Sequence, residues 1–212
     1  KAKKMSNSER LLQIPPIGQR IAIARDDVFS FCYSTVLAGW RISGAEICFF
    51  SPLANEAPDC HADAIYLPGG YPELHADRLA NNQIFLDQLR SAATRGLTIY
   101  GECGGYMVLG NSIIDEEKNS HRMAGLLPLT SSFVKRRLHL GYRRVTTLVT
   151  SMLGSRDTRF LGHEFHYASI TSEGPGQQFF EITDANNEYQ ESVGLINGRV
   201  AGSFIHLIDR PS

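Results

Sequence analysis

The stretch Leu97-Thr98-Ile99-Tyr100-Gly101-Glu102-Cys103-Gly104-Gly105-Tyr106 carries the pattern of greatest chemical consequence in this chain. An apolar run stops at Gly-x-Cys-Gly-Gly, and a second, Tyr106 to Leu109, starts at once. The pattern is that of a buried strand turning sharply into a helix, with a thiol at the apex. Such a turn strains the apex residue, and its neighbours must lack side chains to avoid clashing. At a helix N-terminus, backbone N–H groups and the macrodipole favour thiolate over thiol, which makes a weak nucleophile strong. The other cysteines read differently. Cys32 and Cys48 lie in apolar runs and are expected as small core hydrophobes, and Cys60 is expected to be incidental.

A thiol nucleophile needs a base, a group to orient that base, and donors for the oxyanion. The N–H of Gly104, directly after the nucleophile, is the first donor. A second is expected from a neighbouring loop, and Pro68-Gly69-Gly70-Tyr71-Pro72-Glu73 supplies two glycines that let backbone approach a substrate. A plain turn is the alternative reading of Gly69 and Gly70. For the base, His206 follows a strand candidate in Gly202-Ser203-Phe204-Ile205-His206, where it can reach a nucleophile at the end of a neighbouring strand. In Gly162-His163-Glu164-Phe165-His166-Tyr167, strand alternation puts Glu164 and His166 on one face and His163 on the other. His61 lies in a loop with no evident partner. The His163–His166 spacing is not H-E-x-x-H and no cysteine stands close by, so no metal site is expected there.

The elements that must position these residues alternate. Arg20–Ala24, Ala45–Phe50, Ala64–Leu67 and the run into Cys103 read as strands. Val28 to Gly39, capped by Asp26-Asp27, and Asn81 to Arg95, stopped by Gly96, read as helices. This alternation implies an α/β fold with a largely parallel sheet covered by helices. After about Asn111 the texture changes to strands joined by turns: Val134–Thr150, Thr158–Tyr167, Gln178–Thr183, Val193–Ile196 and Arg199–Gly202, with Asn197-Gly198 as a hairpin signal. This second half is expected to add antiparallel strands at the sheet edge. Lys135-Arg136-Arg137 and Arg143-Arg144 form a basic cluster, read either as a solvated strand face or as contacts to an anionic group near the site.

A chain of 212 residues suits one domain with a sizeable core. The net charge of −1 points to neither a nucleic-acid nor a membrane-surface partner. Four cysteines without C-x-x-C spacing suit a reducing compartment, no apolar stretch approaches the ~20 residues of a membrane span, and no signal-peptide pattern opens the chain. A cytoplasmic protein is the expectation. Residues 1–19 are polar, carry Pro15-Pro16 and read as a linker or remnant of an upstream domain, with residues 20–212 forming the folded unit.

Five segments together carry a family resemblance: Leu67–Glu73 (LPGGYPE), Gly101–Met107 (GECGGYM), Leu140–Arg143 (LGYR), Gly162–Tyr167 (GHEFHY) and Gly202–His206 (GSFIH). The chain resembles the glutaminase domains of cobyrinic acid a,c-diamide synthases, within the triad-type (class I) glutamine amidotransferases of flavodoxin-like fold. The resemblance runs from about Arg20 onward. It implies that Cys103 attacks the side-chain amide of L-glutamine, giving a glutamyl thioester and ammonia. His206 matches the base, and Gly70 and Gly104 fall where the oxyanion donors belong, with Gly69 beside them in the substrate loop. It further implies a partner: an N-terminal ATP-dependent synthetase domain, using magnesium, that binds a cobyrinic or hydrogenobyrinic acid acceptor and amidates its a and c carboxylates. The chain contains no G-x-x-x-x-G-K-[ST] loop, so ATP and Mg²⁺ are assigned to that other domain and no cofactor to this one.

One position departs from the pattern. Many triad amidotransferases carry a Glu two residues after the base, where this chain has Ile208. The resemblance then implies a Cys–His dyad; the alternative is Glu164 as a substitute for the missing carboxylate, and Glu164 and His166 are candidates for orienting or substrate contacts. Two alternatives to a glutaminase follow: a non-catalytic or partner-activated module of the same fold, and a cysteine hydrolase on the same scaffold.

Overall fold

In the computed structural model, residues 14–186 and 188–211 are described. Strand β1 (Arg20–Ala24) is followed by helix α1 (Ser34–Ile42), β2 (Glu46–Phe50) and β3 (Ala64–Leu67). A 3-10 turn (Pro72–His75) leads into α2 (Ala76–Asn81) and α3 (Gln83–Thr94), then β4 (Thr98–Glu102) and the six-residue α4 (Gly104–Leu109). These four strands run parallel in the order β2-β1-β3-β4, as expected where helical crossovers separate strands.

The second half is mostly β. It contains β5 (Ser112–Ile114), β6 (Ser120–Arg122), β7 (Leu129–Ser132), β8 (His139–Thr147) and β9 (Arg159–His166). Five more follow: β10 (Ser169–Glu173), β11 (Gln177–Thr183), β12 (Gln190–Asn197), β13 (Val200–Ser203) and β14 (Ile205–Asp209). β13 pairs in parallel with β4, and from there β12, β11, β8, β9 and β14 extend one ten-stranded sheet by antiparallel pairing. The Asn197-Gly198 turn joins β12 to β13, with Gly198 at φ 58°. β10, β7, β5 and β6 form a separate small sheet, which the sequence reading did not anticipate.

Strand alternation divides the apolar residues between two cores. Ala22, Ala24, Ile65, Leu67 and Ile99 face Phe85, Leu89, Met107 and Leu109 on α3 and α4. Ile21, Ile23, Tyr66 and Tyr100 face Trp40, Phe160 and Phe179 on the other side. The parallel strands are thus buried on both faces, which is why β3 and β4 read as continuous apolar runs.

Three expectations need correction. Residues 26–33 form a loop, and the helix begins only at Ser34. Asp26 caps a turn by accepting the Val28 N–H at 2.9 Å, and its other oxygen takes Ser51 Oγ and the Leu53 N–H, so its carboxylate is spent before a helix can start. The helix expected over Asn81–Arg95 is α3, starting two residues later; a short α2 that was not expected precedes it, the two separated at Asn82, whose side chain donates to the carbonyls of Pro52 and Leu53. The polar lead-in is not all linker: Ile14 and Ile17 are buried in the second core, and the Gln19 N–H is held by Asp63. Residues 1–13 of that segment lie outside the described residues.

Candidate active site

Cys103 stands between the last residue of β4 and the first of α4 at φ 48°, ψ −104°. A side-chain-bearing residue in that region costs about 1–3 kcal/mol and persists only where its surroundings fix it. Here they do. Its N–H donates to Ser203 of β13 at 2.8 Å, its carbonyl accepts from Met107 at 3.1 Å, and its thiol donates to the Phe165 carbonyl at 3.7 Å. Gly105 is required two residues on, because a methyl there would strike the Leu67 carbonyl and lift α4 off β3.

The expectation of a resting thiolate is not met. Cys103 is only 3% exposed, and burial pushes its thiol up to about 12 although the Gly104 N–H acts in the opposite sense. The carboxyl groups of Glu73, Glu102 and Glu164 push the same way as burial. A helix of six residues has too few aligned peptides to overcome desolvation. The resting nucleophile is a neutral thiol that must lose its proton during attack.

The loop after β3 supplies the neighbouring backbone. A Cβ built on Gly104 would lie 3.0 Å from the Gly70 nitrogen, so the two glycine backbones are in contact. The loop is pinned by residues 26–33: Phe31 N–H donates to the Gly69 carbonyl at 3.0 Å, and Tyr71 N–H to the Val28 carbonyl at 2.9 Å. At Gly69 a methyl would overlap Cε1 of His206. Gly69→Ala therefore displaces the imidazole, and a shift of about 1 Å is enough to cost on the order of 10²-fold in rate. The expected result is that loss in glutamine turnover with a near-unchanged melting temperature, read by steady-state kinetics beside thermal unfolding.

His206 lies on β14, which pairs antiparallel with β9 so that His206 faces His163 and Ile205 faces Glu164. The rings of His206 and His163 stack at 4.8 Å and 6°. Tyr33 hydrogen-bonds Nε2 of His163 at 2.6 Å, and the edges of Phe31 and Tyr33 close over His206. His206 is 1% exposed, and neither ring nitrogen has a hydrogen-bond partner among the described residues. Burial first, then the neighbouring His163 and His166, push it down to about 3, so the imidazole is neutral, as a proton acceptor must be. Glu102 Oε2 lies 4.0 Å from its Nδ1. Glu102 is itself buried, accepts from the Tyr66 hydroxyl at 2.7 Å and the Leu207 N–H at 3.3 Å, and is pushed up to about 7 by desolvation.

Glu164 and His166 do share a face, and that same alternation corrects the role considered for Glu164. It points away from His206. Its Oε1 meets His166 Nε2 at 2.8 Å and its Oε2 accepts from Arg143 at 2.8 and 3.1 Å. Although burial opposes ionisation, His166 and Arg143 hold its carboxyl below the ordinary value. His166 Nδ1 meets the Ala168 carbonyl at 2.9 Å, and its ring stacks against Phe204 on one side and His139 on the other. With Arg137 and Arg143 these residues line a cavity of about 800 Å³. His139, Glu164 and His166 are close enough to share a cation, but Arg143 and Ala168 already engage the donor atoms. Of the basic cluster, Arg143 is thereby ion-paired beside the site and Arg137 lines the same cavity.

Sequence reasoning missed Glu102 and Tyr33, and it placed His163 on its strand face without bringing it to His206. Glu102 had a signal, a carboxylate ending an otherwise uncharged strand in which all five residues are buried. His163 and Tyr33 had none, because only the β9–β14 register and the loop path bring them to His206.

The sequence matches the CobB/CobQ-like glutamine amidotransferase domain over residues 20–211. A hydrogenobyrinate a,c-diamide synthase of Sinorhizobium sp is 53% identical over 96% of this chain and 46% of its own length, and one from Rhizobium meliloti is 50% identical over 98% and 48%. The chain spans about half the length of these curated relatives. Among solved structures, PurLQS from Thermotoga maritima superposes with a TM-score of 0.60 at 16% identity, covering 89% of this chain and 87% of that one, and a crystal structure of a glutamine amidotransferase with 0.58 at 16%, covering 88% and 89%. These two show the fold alone. The chain belongs to the CobB/CobQ-like glutamine amidotransferase domain family.

Proposed function

We propose that this chain is the ammonia-producing half of a hydrogenobyrinate or cobyrinate a,c-diamide synthase, with Cys103 as nucleophile and His206 as base. The observation that carries it is the strained Cys103 elbow, with the backbones of Gly70 and Gly104 in contact beside it and a neutral, buried imidazole against Gly69. His206 Nε2 takes the thiol proton as sulfur attacks the side-chain amide carbon of glutamine. The oxyanion is received by the N–H groups of Gly70 and Gly104. Collapse of this adduct breaks the C–N bond, and the imidazolium returns its proton to the leaving nitrogen, releasing ammonia. Water, deprotonated by the same imidazole, then cleaves the thioester to glutamate and restores the thiol.

The acceptor chemistry belongs to the portion of the enzyme outside these residues. ATP with Mg²⁺ would supply the activation of a corrin-precursor carboxylate there, and this domain's contribution is the ammonia. The identity to whole diamide synthases, which are twice this length, supports that acceptor class. A biosynthetic role beside free cysteines supports action in the cytoplasm.

A glutamine-analogue diazo-ketone tests the reading. It is expected to alkylate Cys103 stoichiometrically, blocked by excess L-glutamine and detected by peptide mass spectrometry. Labelling elsewhere, or protection by a peptide substrate rather than by glutamine, would favour a different hydrolase.

A further inference from the structure

A neutral imidazole accepts a thiol proton at one nitrogen only if the other carries hydrogen, and something must fix which is which. The position two residues past His206, Ile208, supplies no acceptor. The groups around the ring can be taken in turn. His163 on β9 stacks on one face and spends its Nε2 on Tyr33. Phe31 and Tyr33, ahead of α1, present ring edges, and Gly69 after β3 meets Cε1. Glu164, as shown, belongs to the opposite face. Glu102 on β4 is left, with a carboxylate oxygen 4.0 Å from Nδ1.

We infer that Glu102, the residue immediately before the nucleophile, is the positioning residue of His206, accepting Nδ1–H and leaving Nε2 bare for the Cys103 proton. This rests on the glutaminase reading above. The carboxylate is placed for that task from two sides. Oε1 takes the N–H of Leu207, the next residue after the base, so Glu102 is tied to the strand that carries His206. Oε2 takes the Tyr66 hydroxyl from β3 and keeps lone-pair capacity toward the ring. Closing the gap to hydrogen-bond length needs about 1 Å, and such bonds are commonly long in empty sites and tighten with substrate. During attack the Nδ1 proton stays on His206; the carboxylate stabilises the imidazolium and takes no proton. The titratable groups facing His206 are Glu102 on β4, His163 on β9 and Tyr33 ahead of α1, with His166 further off, and those facing Glu102 include Tyr66 on β3 and Tyr100 on β4. Among these Glu102 is pushed up to about 7, so its ionisation sets the acid limb of glutamine turnover.

The test is Glu102→Gln in the intact enzyme. The amide keeps the shape: its oxygen in the Oε1 place accepts from Leu207, and its NH2 in the Oε2 place donates to the Tyr66 hydroxyl oxygen and presents N–H to Nδ1, so hydrogen is driven onto Nε2, the wrong nitrogen. We expect kcat/KM for glutamine to fall about 10²–10⁴-fold, ammonia-dependent amidation to persist, and the acid limb near pH 7 to disappear. Glutamine turnover within threefold of wild type, or a loss with the limb unmoved, would overturn the assignment. Cys103→Ser run in parallel separates the two levels. If it is inert while Glu102→Gln is active, only the role of Glu102 fails; if it still hydrolyses glutamine, the glutaminase reading falls with it. Should Glu102→Gln not fold, histidine ¹⁵N spectra of the unmutated protein decide, with the His206 signals identified by their absence from His206→Asn. Hydrogen on Nδ1 supports the proposal, and hydrogen on Nε2 overturns it.

Discussion

Cys103→Ser in the intact enzyme is expected to reduce glutamine-dependent amidation by about 10⁴–10⁶-fold, the scale set when a nucleophile acting as part of a unit is removed. Amidation supported by added ammonium should stay within twofold of wild type. The asymmetry follows from where the sulfur sits. The backbone strain of Cys103 is confined to the β4–α4 elbow, its N–H bond to Ser203 is unchanged by the substitution, and the replacement hydroxyl is smaller than the thiol, so nothing outside the pocket is disturbed. Serine also keeps an O–H donor for the Phe165 carbonyl, so the elbow itself should persist. What is lost is the thiol's acidity. Even with burial holding the thiol near 12, a hydroxyl is several units harder to deprotonate by an imidazole pushed down to about 3. Parallel assays with glutamine and with ammonium chloride as nitrogen source check this. Loss of both activities would count against a division of labour between two halves of the enzyme.

His206→Ala should follow the same division, with a loss of about 10³–10⁵-fold in glutamine-dependent rate because the oxyanion donors remain. It has a second signature, in stability. At pH 7 removal of a fully packed ring leaves a cavity and costs roughly 1–3 kcal/mol. In the native protein His206 stays neutral down to about 3, whereas in the unfolded chain it takes a proton as pH falls below its ordinary value near 6.5. The unfolded state therefore binds more protons over that window, and wild-type stability is lost as pH drops from about 6.5 toward 3. Glu102 works in the opposite direction: its raised value stabilises the fold below about 4.5 and that contribution is lost as pH rises through 7. The variant keeps the Glu102 contribution and lacks that of His206. The stability gap between wild type and His206→Ala should narrow on acidification, measured by urea unfolding at pH 7.0 and 5.0. A gap of constant size would mean that the imidazole is charged inside the fold.

Much of this was legible in the residues because it is local. Gly-x-Cys-Gly-Gly forces an elbow wherever it follows a buried strand, so the positive φ of Cys103 and the start of α4 at Gly104 could be read directly. The same holds for β1 and β3, whose apolar runs end at turn residues, and for the hairpin at Asn197-Gly198. Alternation likewise separated His163 from Glu164 and His166. Which face turned toward Cys103 was not local, since it depends on β14 pairing with β9 in one particular register. That is why Glu164 was considered as an orienting acid, while Glu102, one residue from the nucleophile, was not. The loop over residues 26–33 escaped for a related reason. Asp26 is a good cap in isolation, and only contact with Ser51 and Leu53 commits it elsewhere. The charge state of the sulfur was misjudged because a helix terminus is visible in sequence and the depth at which it is buried is not.

The clasp between Cys103 and Ser203 joins positions a hundred residues apart, and β13 enters the sheet beside β4 only after every intervening strand has been made. Such long-range pairings come late when a chain folds, since loop entropy must be overcome before contacts repay it. A nascent chain still short of β13 thus lacks both Ser203, which anchors the elbow, and His206. On the mechanism proposed above, such a chain has no route to glutamine turnover.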